Sequence, residues 1–149
     1  MFERIIGSFF KDPLPKRVIM YHMTSRKAAM KIMQDGFDPK RARSKAFGEG
    51  INVSSEMNEV LQYAPKDDVP CIIFCMVTYH RAIPNDSDCK QMIHEVSEDG
   101  TEAWFSKPKY MHPPPGYDAL CYDDIYVFPL SEQVIPMFMV SCQSLLKNN

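Results

Sequence analysis

The first clear hydrophobic pattern in the chain predicts a strand followed by a helix. Residues Arg17–Met23 are rich in Val, Ile and Tyr, which favours a β-strand. Thr24 or Ser25 then offers a helix N-cap, and Gly36 offers a C-cap. Between the caps, alanine, isoleucine and methionine recur at helical spacing, at Ala28, Ala29, Ile32 and Met33.

Further apolar runs predict several more strands. Ile51–Ser54 is a short strand, after which Ser55 is a candidate cap for a second helix that ends near Tyr63. Cys71–His80 is almost continuously apolar, as expected of a strand buried on both faces. Three more strands are predicted towards the C-terminus, at Tyr117–Cys121, Ile125–Pro129 and Val134–Cys142.

Residues 84–116 are polar and rich in turn residues, without a sustained period. We therefore expect an irregular connection with one short strand around Glu102–Phe105, and such long connections are commonly functional.

The order of elements favours an α+β fold with a mostly antiparallel sheet, because strands outnumber helices and no regular βαβ alternation is present. Neither a GxGxxG motif nor a Walker loop occurs. The length of 149 residues suits one domain, which we assign to residues 17–149. Residues 1–16 carry Phe and Ile at roughly helical spacing, which indicates an amphipathic segment that packs on the domain or binds a surface.

Composition narrows the class of protein further. The formal net charge is −2, which provides no electrostatic footprint for nucleic acid. No apolar run is long enough for a transmembrane helix. The five cysteines form no CxxC pair and no zinc-ligand pattern with histidine, so we expect free thiols and no metal. We therefore expect an intracellular protein, cytoplasmic or nuclear rather than secreted.

Six local motifs occur in an order that resembles one family. A strand ends in Tyr21-His22, a capped helix closes on Gly36-Phe37, and Phe-Gly-Glu-Gly-Ile-Asn-Val-Ser follows at residues 47–54. A Tyr ends the next short helix, and Gly-Tyr-Asp-Ala and Ile-Tyr-Val-Phe come later, at residues 116–119 and 125–128. From Arg17 to Val140 the chain is similar to the catalytic domain of PARP-type ADP-ribosyltransferases, in the compact form without a helical regulatory domain.

The resemblance implies an ADP-ribosyltransferase-like fold, with a split, mostly antiparallel sheet and a few short helices. It also implies NAD as co-substrate and a protein as acceptor of ADP-ribose. The bond between nicotinamide and ribose breaks through an oxocarbenium-like transition state, so the site must hold the flat base and fix the ribose.

Four of the implied NAD-binding positions come first along the sequence. His22 matches the family's first signature residue. The resemblance implies that it hydrogen-bonds the ribose in the nicotinamide-distal half of NAD and fixes the dinucleotide, as one of two implied catalytic positions. Met23 stands where the family usually has Gly, whose backbone pairs with the carboxamide, so its side chain is expected to crowd the pocket. Thr24 is a ribose contact, a helix cap or both, and Gly50 belongs to the glycine-punctuated turn.

Of the remaining positions, all but Tyr63 depart from the family pattern. Asn52 replaces a Tyr that stacks on nicotinamide, whereas Tyr63 matches the second stacking Tyr. Val60 replaces a hydroxyl residue that supports the carboxamide. Ile125, the second implied catalytic position, replaces the Glu that permits chain extension, which is typical of transferases that add a single unit. Asp124 enters the site only if the alignment is shifted by one residue, because neighbours on a strand face opposite sides.

Two functions remain open on the sequence. The first is an NAD-dependent mono-ADP-ribosyltransferase that releases nicotinamide. The second is an inactive protein of the same fold, which binds NAD or ADP-ribose or acts through protein contacts. The related tRNA 2′-phosphotransferases need basic groups that converge on a phosphate, and the scattered Arg41, Arg43 and Lys45 do not specify this.

Overall fold

A seven-stranded sheet forms the centre of the protein. The computed structural model describes residues 14–41 and 46–142, and of residues 87–93 and 105–107 it describes the backbone alone. The strands are β1 (Lys16–Ser25), β2 (Ile51–Ser54), β3 (Pro70–Tyr79), β4 (Ala82–Pro84), β5 (Ser87–Val96), β6 (Glu102–Pro108), β7 (Ala119–Tyr122), β8 (Ile125–Phe128) and β9 (Val134–Ser141). The helices are α1 (Arg26–Asp35) and α2 (Met57–Leu61), with 3-10 turns at Pro39–Arg41 and Ser131–Gln133. The predicted amphipathic segment lies, up to residue 13, outside the described residues.

The strand order of the large sheet is β4-β7-β8-β2-β1-β3-β9. All of its pairs are antiparallel except β4 with β7. Strands β1 and β3 pair over ten residues, whereas β1 and β2 pair only at Tyr21 and Ser54. The sheet therefore consists of two halves joined at one narrow junction, and the predicted α+β architecture is confirmed.

The unit of β1 and α1 forms as its sequence predicts. Ser25 begins the helix, because its Oγ accepts a hydrogen bond of 3.2 Å from the Ala28 N–H. Gly36 ends the helix with φ at 83°, and its N–H donates to the Ile32 carbonyl. The alternative cap, Thr24, is the penultimate residue of β1. The helix packs on β1, β3 and β9 and closes the main core.

The predicted cap of the second helix is wrong. The N-cap of α2 is Glu56, without a side-chain capping bond. The Ser54 hydroxyl accepts from the Glu56 N–H at 3.1 Å instead, while Ser55 bonds to the Asp124 carbonyl through its N–H and its hydroxyl, at 2.9 and 3.4 Å. Ser55 thus ties the end of β2 to the turn between β7 and β8.

The polar connection at residues 84–116 is more ordered than the sequence indicates. A strand was expected near Glu102–Phe105, and β6 lies there. The expectation of an otherwise irregular segment is wrong, because β6 pairs with the ten-residue β5 in a hairpin separate from the large sheet. Trp104 stacks on His94 in this hairpin, with ring centroids 4.2 Å apart.

The two faces of the β1, β3 and β9 half are covered to different extents. One face carries the main core, with Met20, Ile73 and Cys75 buried beneath α1. On the other face, Met23 and Ile72 are buried with Val60 of α2, while Ile135, Phe138 and Val140 of the edge strand β9 remain exposed.

The cysteines of the described side chains are free thiols, as expected from the sequence. Burial raises the pKa of Cys75 to about 12, so this thiol stays protonated. In the described part of the chain, no helix is long and apolar enough to cross a membrane.

Candidate functional site

A cleft of about 500 Å³ opens where the turn between β7 and β8 meets α2. Its described lining combines aromatic rings, carboxylates and one aliphatic residue: Phe47, Glu59, Tyr63, Tyr122, Asp123, Asp124 and Ile125. Two positions that the resemblance assigns to the site, Tyr63 and Ile125, therefore lie on one cavity although 62 positions separate them in the sequence.

The aromatic part of the lining is held by the core. Phe47 stacks on Tyr122, with ring centroids 5.1 Å apart and an angle of 29° between the planes. The Phe47 carbonyl accepts a 2.7 Å hydrogen bond from Nδ2 of Asn85, a side chain that is only 1% exposed. The same amide donates to the Tyr110 carbonyl at 2.8 Å and accepts from the Tyr110 N–H at 2.7 Å. Asn85 therefore uses both ends of its amide to fix the segment that carries Phe47.

The acidic part of the lining comes from two elements. Asp123 and Asp124 form the two-residue turn between β7 and β8, and Asp123 adopts a left-handed φ of 51°. Because these two residues form a turn, the strand alternation that was expected to turn Asp124 away from the site does not apply. Glu59 comes from α2 and accepts a 2.7 Å hydrogen bond from the Gln62 amide.

Tyr63 follows Glu59 by four residues, directly after α2, and 52% of its surface is exposed. Partial burial raises the pKa of the Tyr63 phenol, and the negative charge of Glu59 raises it further. The phenol is therefore neutral at physiological pH and can donate a hydrogen bond.

A second cluster lies around His22, at the junction of the two half-sheets. Nδ1 of His22 is 2.7 Å from the Asn52 carbonyl oxygen, which can only accept, so Nδ1 carries the proton and Nε2 is left as the acceptor. The ring also packs edge-on against Phe37, with centroids 5.1 Å apart. Burial lowers the pKa of His22, and the hydrogen bond to Asn52 opposes this shift only in part. His22 is therefore a neutral imidazole with a defined tautomer at pH 7.

The side chain of Asn52 carries an unsatisfied acceptor on the face of the sheet opposite to His22, because Asn52 alternates with Val53 of the main core. Its Oδ1 is buried, and it has no hydrogen-bond partner among the residues that the structure describes. A buried amide oxygen without a partner costs roughly 1–3 kcal/mol.

Met23 does not crowd the cleft, contrary to the expectation from the sequence. Its side chain is 9% exposed and packs with Val60 and Ile72 under α2. The same contact explains Val60, which fills this small apolar cluster. Met23 and Val60 are therefore packing residues in this protein, and Thr24 lies beside them in the β1–β3 ladder, opposite Cys71.

The backbone conformation and close packing at position 50 require a glycine. Its φ is 148°, and a Cβ atom placed on it would lie 2.5 Å from the Phe128 carbonyl oxygen. A side chain at this position would separate the start of β2 from β8, which supports the turn Asp123-Asp124.

The structure thus groups the expected residues into two clusters. Tyr63 and Ile125 line the cleft, while His22 and Asn52 are joined at the sheet junction and are not part of the cleft lining. The sequence did not point to Phe47, Glu59, Tyr122 or Asp123. For Glu59 a signal existed, because residues four apart on a helix lie on the same side and Tyr63 was already a candidate.

No known protein family and no curated protein matches this chain. Among the described residues, no three His, Cys, Asp or Glu side chains are grouped so that they could hold a metal ion.

Proposed function

We propose that the protein is an NAD-dependent mono-ADP-ribosyltransferase that transfers one ADP-ribose unit to a protein acceptor and releases nicotinamide. The observation that carries this proposal is the cleft at which Tyr63 and Ile125 meet. The proposal also identifies the α+β architecture as an ADP-ribosyltransferase-like fold, whose split sheet corresponds to the single-residue junction between β1 and β2.

The cleft suits the nicotinamide end of NAD. Its volume of about 500 Å³ falls within the range of small-molecule sites, roughly 300–1,000 Å³. A ring that stacks on Tyr63 would gain about 0.5–1.5 kcal/mol beyond the burial of its area. The Tyr63 phenol, neutral and partly exposed, can in addition donate to the carboxamide oxygen.

The cluster at His22 suits the ribose end. Nε2 of the neutral imidazole accepts a hydrogen bond from a hydroxyl, and Nδ1 is held by the Asn52 carbonyl so that the ring cannot turn freely. The defined acceptor at Nε2 is the second observation that supports the proposal.

The chemistry requires the bond from the ribose C1′ to the nicotinamide nitrogen to break, and its electron pair leaves with nicotinamide. The acceptor nucleophile then forms a new bond to C1′ and loses its proton. A carboxylate near C1′ stabilises the developing positive charge and receives that proton. Ile125 cannot do so, whereas Glu59 and Asp124 line the same cleft. The lack of a carboxylate at position 125 agrees with transfer of a single unit.

The experiment is to incubate the protein and an acceptor mixture with NAD labelled in its adenylate half. We expect label on protein and release of nicotinamide, because the labelled half is the one transferred. His22→Ala is expected to reduce the rate at least about 100-fold. A substrate that loses this contact is bound about 1 Å out of place, and a displacement of this size costs a reaction about that factor in rate. Tyr63→Ala is expected to raise the KM for NAD, because it removes a contact with the base.

The control is His80→Ala. His80 lies directly after β3, at the end of the β1–β3 ladder remote from His22, and its exposed ring lies 3.3 Å from the Asp118 carboxylate. This variant should keep the wild-type rate. If the wild type transfers no label, releases no nicotinamide and shows no rise in Tm with NAD, the proposal is wrong. NAD binding without transfer would instead establish the inactive, NAD-binding member of the same fold.

A further inference from the structure

We infer that the cleft selects a flat cation, and that it recognises the oxidised nicotinamide ring by its positive charge. The inference rests on the proposed function, because it assigns a ligand class to the same site. It is carried by the combination of aromatic rings and carboxylates around one cavity.

The rings supply surfaces for a planar ligand. Phe47 and Tyr122 already stack in a parallel arrangement, and Tyr63 leaves half of its surface uncovered at the same cavity. The face of an aromatic ring carries negative potential, and tyrosine attracts cations within about 6 Å of its centroid. A flat neutral ring would gain from stacking alone, whereas a flat cation gains from both effects.

The charges around the cleft have one sign. Glu59, Asp123 and Asp124 line it, and its described lining contains no basic residue. Glu59 accepts a hydrogen bond from the Gln62 amide, which is neutral and therefore does not cancel the charge of the carboxylate. The raised pKa of Tyr63 has Glu59 as its second cause, which agrees with an acidic surrounding.

Such a site distinguishes the substrate from the product by charge. The ring of NAD⁺ carries a positive charge, while free nicotinamide and the dihydronicotinamide of NADH are neutral. The cleft therefore holds the ring before the glycosidic bond breaks and loses its electrostatic attraction afterwards. We expect weak product inhibition by nicotinamide for this reason.

The test measures binding of four probes by titration calorimetry: N-methylnicotinamide (methylated on the ring nitrogen and therefore a cation), nicotinamide, NAD⁺ and NADH. N-methylnicotinamide and nicotinamide differ mainly in charge, whereas NAD⁺ and NADH differ in the charge and in the aromaticity of the ring. We expect each cation to bind about tenfold more tightly than its neutral counterpart at low ionic strength. Because exposed charges are screened, this difference should shrink as NaCl is raised from about 0.01 to 1 M.

Two isosteric variants isolate the carboxylates. Glu59→Gln and Asp124→Asn keep the shape of the cleft and are expected to weaken N-methylnicotinamide without changing the affinity for nicotinamide. Tyr63→Ala is expected to weaken both probes. Glu132→Gln removes an exposed carboxylate outside the cleft and serves as the control. Circular dichroism melts verify that all four variants are folded.

The outcomes separate this inference from the proposed function. If NAD⁺ and NADH bind equally and N-methylnicotinamide gains nothing over nicotinamide, the charge selection is wrong while NAD binding stands. If N-methylnicotinamide binds selectively but NAD⁺ does not bind, the cation site stands and the proposed function falls. If neither cation binds, both are wrong.

Discussion

His22 illustrates how one hydrogen bond defines the chemistry of a side chain. Because Nδ1 donates to the Asn52 carbonyl, the imidazole presents Nε2 as an acceptor to any ligand. Protonation of Nε2 would remove that acceptor and place a charge in a partly desolvated position. The same environment that fixes the tautomer of His22 therefore makes it sensitive to acid.

We predict that acid destabilises the fold through His22. The pKa of His22 is lowered by burial below the value of 6.5 that applies in the unfolded chain. Below pH 6.5 the unfolded state therefore binds more protons than the folded state, so the free energy of unfolding falls as the pH falls from 6.5 towards the folded pKa. Urea unfolding between pH 7.5 and 5 measures this dependence.

His22→Gln removes the titrating group. The free energy of unfolding of this variant should therefore depend less on pH below pH 6.5. His80→Gln, at an exposed site, keeps the half-buried imidazole of His22 and should leave the pH dependence of the unfolding free energy as in the wild type. A His22→Gln profile as steep as that of the wild type would assign the acid sensitivity to other groups.

Single candidate residues differed in how well the sequence could identify them. Tyr63 could be found because it follows a short helix at a recognisable distance from residue 52. Met23 and Val60 were expected to alter the nicotinamide pocket, but they contact each other and Ile72 instead. The surroundings of these two side chains depend on which face of β1 the helix α2 covers. This is a tertiary property that the local sequence does not contain.

The helices α1 and α2 show that similar cap sequences can have different roles. Each is preceded by hydroxyl residues, Thr24-Ser25 and Ser54-Ser55. Ser25 caps α1 in the expected way, whereas Ser55 is held by the Asp124 carbonyl. The difference arises because β2 is anchored to β8 and to the turn at Asp124, which the sequence near Ser55 does not reveal.

We predict that the two serines contribute unequally to stability. Ser25→Ala removes the cap of a ten-residue helix and should lower the free energy of unfolding by about 1 kcal/mol. Ser55→Ala loses only the longer of two bonds to Asp124, since the 2.9 Å bond from the N–H remains, so a loss below about 0.5 kcal/mol is expected. Urea denaturation of both variants compares them directly, and an equal loss would contradict these roles.

The hairpin of β5 and β6 could not be predicted from the alternation of hydrophobic and polar residues. Strands in the large sheet have a face to bury, so their hydrophobic positions follow the period of the strand. The hairpin pairs only with itself among the described elements, and neither of its faces is required to be apolar. Its polar sequence therefore looked like an irregular connection although its backbone forms a ladder.

At the level of the molecule, the cleft depends on three separated parts of the chain. Phe47 precedes β2, Glu59 and Tyr63 belong to the α2 region, and Tyr122 to Ile125 form the turn between β7 and β8. The sequence indicated the β1–α1 unit, β2 and β3 because each is defined locally. The cleft was only partly predictable, because it forms when three-dimensional pairing brings β2 beside β8.

Asn85 is the residue through which the interior of the protein positions this cleft. Its side chain is buried and forms hydrogen bonds to the Phe47 carbonyl and to both backbone groups of Tyr110, while its own N–H donates to the Cys121 carbonyl in β7. It therefore connects the segment before β2, the end of the hairpin and the strand that leads into the acidic turn.

We predict that Asn85→Ala lowers the free energy of unfolding by about 2–4 kcal/mol, because three partly buried backbone groups lose their partner. Phe47 should also lose its position, so binding of N-methylnicotinamide should weaken although Asn85 itself does not line the cleft. Asp86→Ala, at the exposed neighbouring position, provides the control and should change neither quantity. If Asn85→Ala is destabilised but binds the probe as tightly as the wild type, Asn85 supports the fold alone and the order of the cleft arises from the turn at Asp123-Asp124.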